Sequence, residues 1–147
     1  MTPVFQTIRH DPENGAYGDC HRAAIASALN LAIDAVPHFH NGFRTPAEAQ
    51  VEERTFLASI GIIPIYVAFP GETALADVLI TIKHTSPGVC GLLGGKSPRG
   101  YGHSVVIADG EIVHDPHPDG GGIVAPFDED GLWWVTWFGD VRARSAA

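Results

Sequence analysis

The stretch "HSVVIADGEIVHD", residues 103–115, decides how this chain folds. Two runs rich in valine and isoleucine flank Asp109–Gly110, and an Asp-Gly pair between such runs is a strong hairpin signal. His103 opens the first strand and Asp115 closes the second. Whether they share a face depends on the turn. A two-residue loop pairs position 103 with 116 and turns Asp115 away from His103. A three-residue loop, Ala108 to Gly110, with the glycine in a left-handed bulge position, sets His103 opposite Asp115. Both faces carry valine or isoleucine, so alternation does not choose the register. A base oriented by a carboxylate needs the three-residue loop, and we expect that register with Gly110 at positive φ.

Outward from the hairpin, "GVCGLLGG" (88–95) reads as a short buried strand and "LWWVTWF" (132–138) as a closing strand. "IIPIYVAF" (62–69) is a further strand, and Pro64 places it near a sheet edge. Trp133, Trp134 and Trp137 should be mostly core, with one of them lining a pocket. "TPAE" (45–48) is a capping box with Pro46 at the first helical position, opening a helix that runs to about Ile60 and stops at Gly61. Leu75, Val78, Leu79 and Ile82 give an amphipathic helix after a Pro70–Gly71 turn. Helices first and a mostly antiparallel sheet afterwards make an α+β domain.

The first helix raises the chemical question. After an irregular arm over residues 1–18, "CHRAAIASALNLAI" (20–33) begins with Asp19 as its expected cap. Small residues all round give it close neighbours on several sides. A cap does not need a thiol beside it. At a helix N-terminus, however, peptide dipoles and free N–H groups favour an anion, and the thiolate is the reactive form of cysteine. The bland alternative for Cys20 is a small buried hydrophobe. His103 and Asp115, supplied later in the chain, offer the base and the acceptor that a nucleophile needs. Read blandly, they are a polar pair at a strand end.

Length and composition set the outer limits. The chain has 147 residues, enough for one domain over 1–147, and 45% of them are apolar. A net charge of −8 argues against broad binding to nucleic acid or anionic membrane. "MTPVFQTIRHDPENG" has no apolar signal segment, and "GIIPIYVAF" is too short to span a bilayer. With two cysteines, Cys20 and Cys90, and no export signal, both thiols are expected to be reduced, and Cys90 to be core. "CGLLGGKS" (90–97) mimics a phosphate loop, but Cys90 replaces its first glycine and no helix follows, so it is rejected.

"NGAYGDCH" (14–21) resembles the papain-type stretch Gln-Gly-x-Cys-Gly-Ser-Cys-Trp. Asn14 stands where those enzymes carry an oxyanion-hole glutamine, Gly15 and Gly18 match glycines, Cys20 matches the nucleophile, and His21 replaces an aromatic residue. "GHSVVIADGEIVHDP" (102–116) is similar to the histidine and Asp-Pro strands of bacteriocin-leader peptidases of the same clan. The likeness implies a papain-like fold, Cys20 as nucleophile, His103 as base, Asp115 as its orienter and Asn14 as oxyanion donor. "VPHF", "KSPRG" and "HDPHP" also resemble stretches of small phage and actinobacterial proteins with no assigned activity. That likeness implies the cytosol of a bacterium or of a phage-infected host.

The resulting expectation is a cysteine-dependent acyl-transfer enzyme, a peptidase or amidase, that requires no cofactor. Its substrate would be a small peptide or amide, with no nucleic acid and no membrane involved; the oligomeric state stays open. Gly18 and Asp19 flank the thiol and belong with the expected substrate contacts. So do Lys96, Arg99 and Tyr101, in the loop "GGKSPRGYG" (94–102) that leads into His103, and two cations there suit an anionic group. The rival readings are a papain-like binding module without turnover, and a metal protein ligated by His38 and His40 or by His114, Asp115 and His117.

Overall fold

The computed structural model describes residues 1–142, so the last five positions of the expected 1–147 domain lie outside the described residues. Three helices accompany a five-stranded antiparallel sheet, an α+β arrangement. The helices are α1 (Cys20–Ala28), α2 (Pro46–Ser59) and α3 (Leu75–Thr85). The strands are β1 (Ile62–Pro70), β2 (Cys90–Lys96), β3 (Gly102–Ala108), β4 (Glu111–His114) and β5 (Leu132–Asp140), in the spatial order β1-β5-β2-β3-β4. β1 is an edge strand, as Pro64 requires. It precedes α3 in the chain, so helices and strands interleave and do not form two blocks.

Both faces of the central strands β2 and β3 are covered, which is why alternation in the hairpin was uninformative. Leu92 and Val106 join Ala24, Ile25, Ala49 and Leu57 in a core under α1 and α2. Their chain neighbours Leu93 and Val105 point the other way and join Ile107, Trp133 and Val135 under Val78 and Ile82 of α3. Trp133 is buried and its indole donates to Thr73 O. No helix among the described residues is long and apolar enough to cross a membrane.

Two local expectations are corrected. α1 stops at Ala28 and does not run to 33, because Asn30 adopts φ 57, a left-handed conformation that asparagine tolerates and a helix cannot contain. Nor does Asp19 cap it: the side chain makes no capping bond. Its carboxylate accepts instead from Thr7 N–H, Ile8 N–H and the Thr7 hydroxyl, fully buried, and Arg22 lies beside it at 3.5 Å. Asp19 therefore fastens the N-terminal arm to the start of α1. The arm is tied elsewhere too, through Val4 N–H to Ser27 Oγ, Gln6 N–H to Pro116 O and His114 Nε2 to Val4 O. By contrast, Thr45 and Glu48 form the expected capping box of α2.

Candidate active site

The hairpin turn is the two-residue one. Ala108 pairs with Glu111 around Asp109 and Gly110, at φ 52 and 75, the pair of positive angles of a type I′ turn. The three-residue loop was wrong, and Asp115 does not stand directly opposite His103, but the shared face it implied is present. A bulge in β4 places Val113 outside the ladder, so that Ile107 pairs with Ile112 and Val106 with His114. One extra residue reverses the facing of everything beyond it. Asp115 is thereby returned to the side of His103, and His103 Nε2 lies 2.7 Å from Asp115 Oδ1. The carboxylate is itself held by the N–H groups of His117 and Gly122, at 2.9 and 2.7 Å.

Helix α1 packs on β3 and brings Cys20 to the other end of this chain of bonds. The imidazole of His103 and the Ser104 N–H both favour the charged form of the thiol. Because Nε2 is engaged by Asp115, the ring nitrogen left for Cys20 is Nδ1. Burial pushes the thiol pKa up, but the His103 hydrogen bond and charge, the Ser104 N–H and the nearby His21 outweigh it, and the net shift is down. Burial likewise disfavours the imidazolium, yet the bonds to Asp115 and Cys20 raise His103 to about 9. Asp115, despite burial, is held at about 2 by His103 and the two backbone donors. These directions favour the thiolate–imidazolium pair over the neutral thiol–imidazole pair. Cys90, away from any such partner, is pushed up by burial.

Two cavities meet at Cys20. The smaller, about 220 Å³, is lined by Gln6, Arg9, Arg99, Tyr101, His103 and His117, among others. The larger, about 730 Å³, extends from Cys20 past His21, Glu53 and Leu92 to Phe127 and Trp134. Gly18 and Tyr101 border both. A Cβ on Gly18 would meet His10 at 3.0 Å, a tight contact that glycine avoids. Arg99 donates to Gly120 O in the smaller cavity. Lys96 lies in the larger one, paired with Asp128 at 2.8 Å.

Two expected site residues are elsewhere. Asn14 is exposed, its amide donates to Asp11 Oδ2, and it lines neither cavity. Asp19 is buried behind the helix start and is a strut, not a substrate contact. A group that shares the smaller cavity with Cys20, and that the sequence did not reveal, is Gln6. Its Nε2 donates to Ile8 O, its Oε1 is buried without a partner, and it lines the smaller cavity. Gln6 lies fourteen positions before the thiol, and no local pattern in "PVFQTIR" marks it.

The expected metal sets are dispersed. His38 bonds Tyr17 O, His114 bonds Val4 O, and Asp115 is committed to His103. A different polar group assembles instead. His21 Nε2 meets Glu53 Oε2 at 2.6 Å, His21 Nδ1 meets Ser104 Oγ at 2.9 Å, and Tyr66 donates to Glu53 Oε1 at 3.0 Å. Burial opposes charge on His21, but Glu53 outweighs it and raises the imidazole pKa. The signal for Glu53 was present in the sequence: it occupies the middle of the buried Ala49, Glu53, Leu57 stripe of α2, where a carboxylate must have partners.

Comparison with known protein families, curated proteins and solved structures gives no match for this chain.

Proposed function

We propose that this protein is a papain-like cysteine acyl-transfer enzyme, a peptidase or amidase. The observation that carries the reading is the continuous series Cys20–His103–Asp115, with the thiol at the first position of a helix and the imidazole fixed by a half-buried carboxylate. In the proposed reaction the Cys20 thiolate attacks the amide carbonyl carbon. The resulting oxyanion receives the Cys20 N–H, which has no acceptor within its own helix, and the second Nε2 hydrogen of Gln6. His103 gives its proton to the leaving nitrogen as the C–N bond breaks, leaving a thioester on Cys20. It then takes a proton from water, whose oxygen attacks the thioester, and keeps it as the sulfur departs as thiolate, which restores the starting ion pair. Asp115 keeps the imidazole in one orientation and stabilises its charged form.

The two cavities suit a substrate with unlike ends. The larger, with Leu92, Phe127 and Trp134, accommodates an apolar group, and the smaller offers Arg99 to an anionic one, Arg9 there being paired with Asp119 at 3.3 Å. A small peptide or amide in a bacterial or phage-infected cytosol is the proposed substrate and setting.

The test is acylation by 4-nitrophenyl acetate, an activated ester that any competent nucleophile of this class attacks. Intact and peptide mass spectrometry should find one acetyl group on Cys20, formed in a burst and lost by hydrolysis. Cys20→Ser should abolish it, and His103→Ala should slow it by about 10²-fold or more. Acetylation of Cys90 at a similar rate, or an acetyl group on Cys20 that forms equally fast without His103, would contradict the reading.

A further inference from the structure

The cluster of His21, His40 and Glu53 plays no part in the proposed reaction. We propose that it is a binding site for Zn²⁺. The residues come from three separate segments: His21 from α1, His40 from the loop before α2, and Glu53 from α2 itself. Each offers one ligand atom, and these atoms all lie within 4.8 Å of one another. Tetrahedral zinc, with Zn–N and Zn–O bonds of about 2.0–2.2 Å, places its ligand atoms roughly 3.3 Å apart. His21 Nε2 and Glu53 Oε2, at 2.6 Å, need only separate slightly, and His40 needs to close in. The ion then takes the place of the proton these two atoms share, which leaves to solvent.

The donor set is the right one. Two imidazoles and a carboxylate form a familiar protein half-shell for zinc, with the fourth position free for water or another ligand. The surroundings also hold the donors in the form a metal needs. Ser104 Oγ can accept Nδ1–H of His21, which leaves Nε2 as a bare lone pair. Tyr66 holds the second oxygen of Glu53, which fixes the carboxylate while freeing Oε2. Such outer partners commonly set metal affinity by about 10–100-fold. All three ligands line the larger cavity, so an ion has a route in and an open coordination position once there.

The experiment uses the whole chain after chelator treatment, with Co²⁺ as a spectroscopic probe and Zn²⁺ as its competitor. One Co²⁺ per chain should bind with the visible absorption of a tetrahedral nitrogen–oxygen site, and Zn²⁺ should displace it. His40→Ala, at an exposed position, and the near-isosteric Glu53→Gln should each weaken Co²⁺ binding by about tenfold or more. Tyr66→Phe should weaken it less and keep the spectrum. Cys20→Ser should leave affinity and spectrum unchanged, which separates this site from the triad: either can fail while the other stands. The proposal is overturned if neither ion binds at millimolar concentration. It is equally overturned if binding survives both ligand variants, or if it shows sulfur-to-metal charge transfer and vanishes with Cys20.

Discussion

At the scale of single residues, the site divides into groups that chain order announces and groups that only folding collects. Cys20 before an alanine-rich helix, and His103 and Asp115 at the ends of a hairpin, are chemically conspicuous where they stand. Gln6 is not, because the arm that carries it reaches the thiol by hydrogen bonds to Asp19, Ser27, Pro116 and His114 that no local spacing encodes. Asn14 has the right residue type and offset, but its amide is spent on Asp11. Gln6→Ala should therefore lower the acylation rate by about 10²-fold, the usual effect of losing one oxyanion donor, while Asn14→Ala leaves it within about twofold. Initial rates with the activated ester measure both. A large loss in Asn14→Ala with none in Gln6→Ala would reverse the assignment. With an amide substrate, whose leaving nitrogen needs the imidazolium proton, His103 at about 9 sets the alkaline limit of acylation. Asp115→Asn should move that limit to lower pH in a pH–rate profile, because the imidazolium loses its carboxylate. An unmoved limb would remove Asp115 from the mechanism.

At the scale of elements, the capping box, the edge position of β1 and the amphipathic α3 were legible because each rests on a local rule. Thr45 and Glu48 are three residues apart, and Pro64 constrains its own strand. The register of the hairpin was not legible. Turn chemistry read correctly at Asp109–Gly110 gives a straight ladder, and the bulge at Val113 lies where the sequence "EIVHD" has no glycine to mark it. Burial of both faces of β3, under α1 and under α3, also removes the alternation that would reveal a slip. The end of α1 shows the same limit, since Asn30 interrupts an apolar pattern that runs on to Ile33. The bulge has a sharp consequence. Deleting Val113 should straighten the ladder and turn Asp115 away from His103, so the acylation rate should fall to that of Asp115→Asn while the circular dichroism stays native. A deletion variant with full activity would show that the bulge does not orient Asp115.

At the scale of the whole molecule, the site joins three parts: the arm, helix α1 and the β3–β4 hairpin. Their coupling should appear in stability as well as in rate. Asp115 is held at about 2 against an ordinary 3.8, so its contribution is present above pH 3.8 and is lost as pH falls through 2. That shift corresponds to on the order of 2 kcal/mol. Urea unfolding of wild type and Asp115→Asn should differ by about that amount at neutral pH and converge between pH 3.8 and 2; a difference that persists at pH 2 would show that the carboxylate charge is not what stabilises. At about pH 7.5 the Cys20–His103 pair adds little slope, because it binds one proton when folded, on the imidazole, and one when unfolded, on the thiol; at lower pH the unfolded imidazole titrates as well, near 6.5. The central claim is that folding moves this proton from sulfur to nitrogen, and alkylation of chelator-treated protein by iodoacetamide tests it most directly, with Cys90 as the internal reference. In the folded chain at pH 6, Cys20 should be alkylated at least about tenfold faster than Cys90, as each unit of pKa depression raises the thiolate fraction about tenfold. The two should react alike in denaturant, and His103→Ala should return folded Cys20 toward the ordinary thiol profile. Equal rates for Cys20 and Cys90 in the folded wild type, or a Cys20 profile indifferent to His103, would contradict the account.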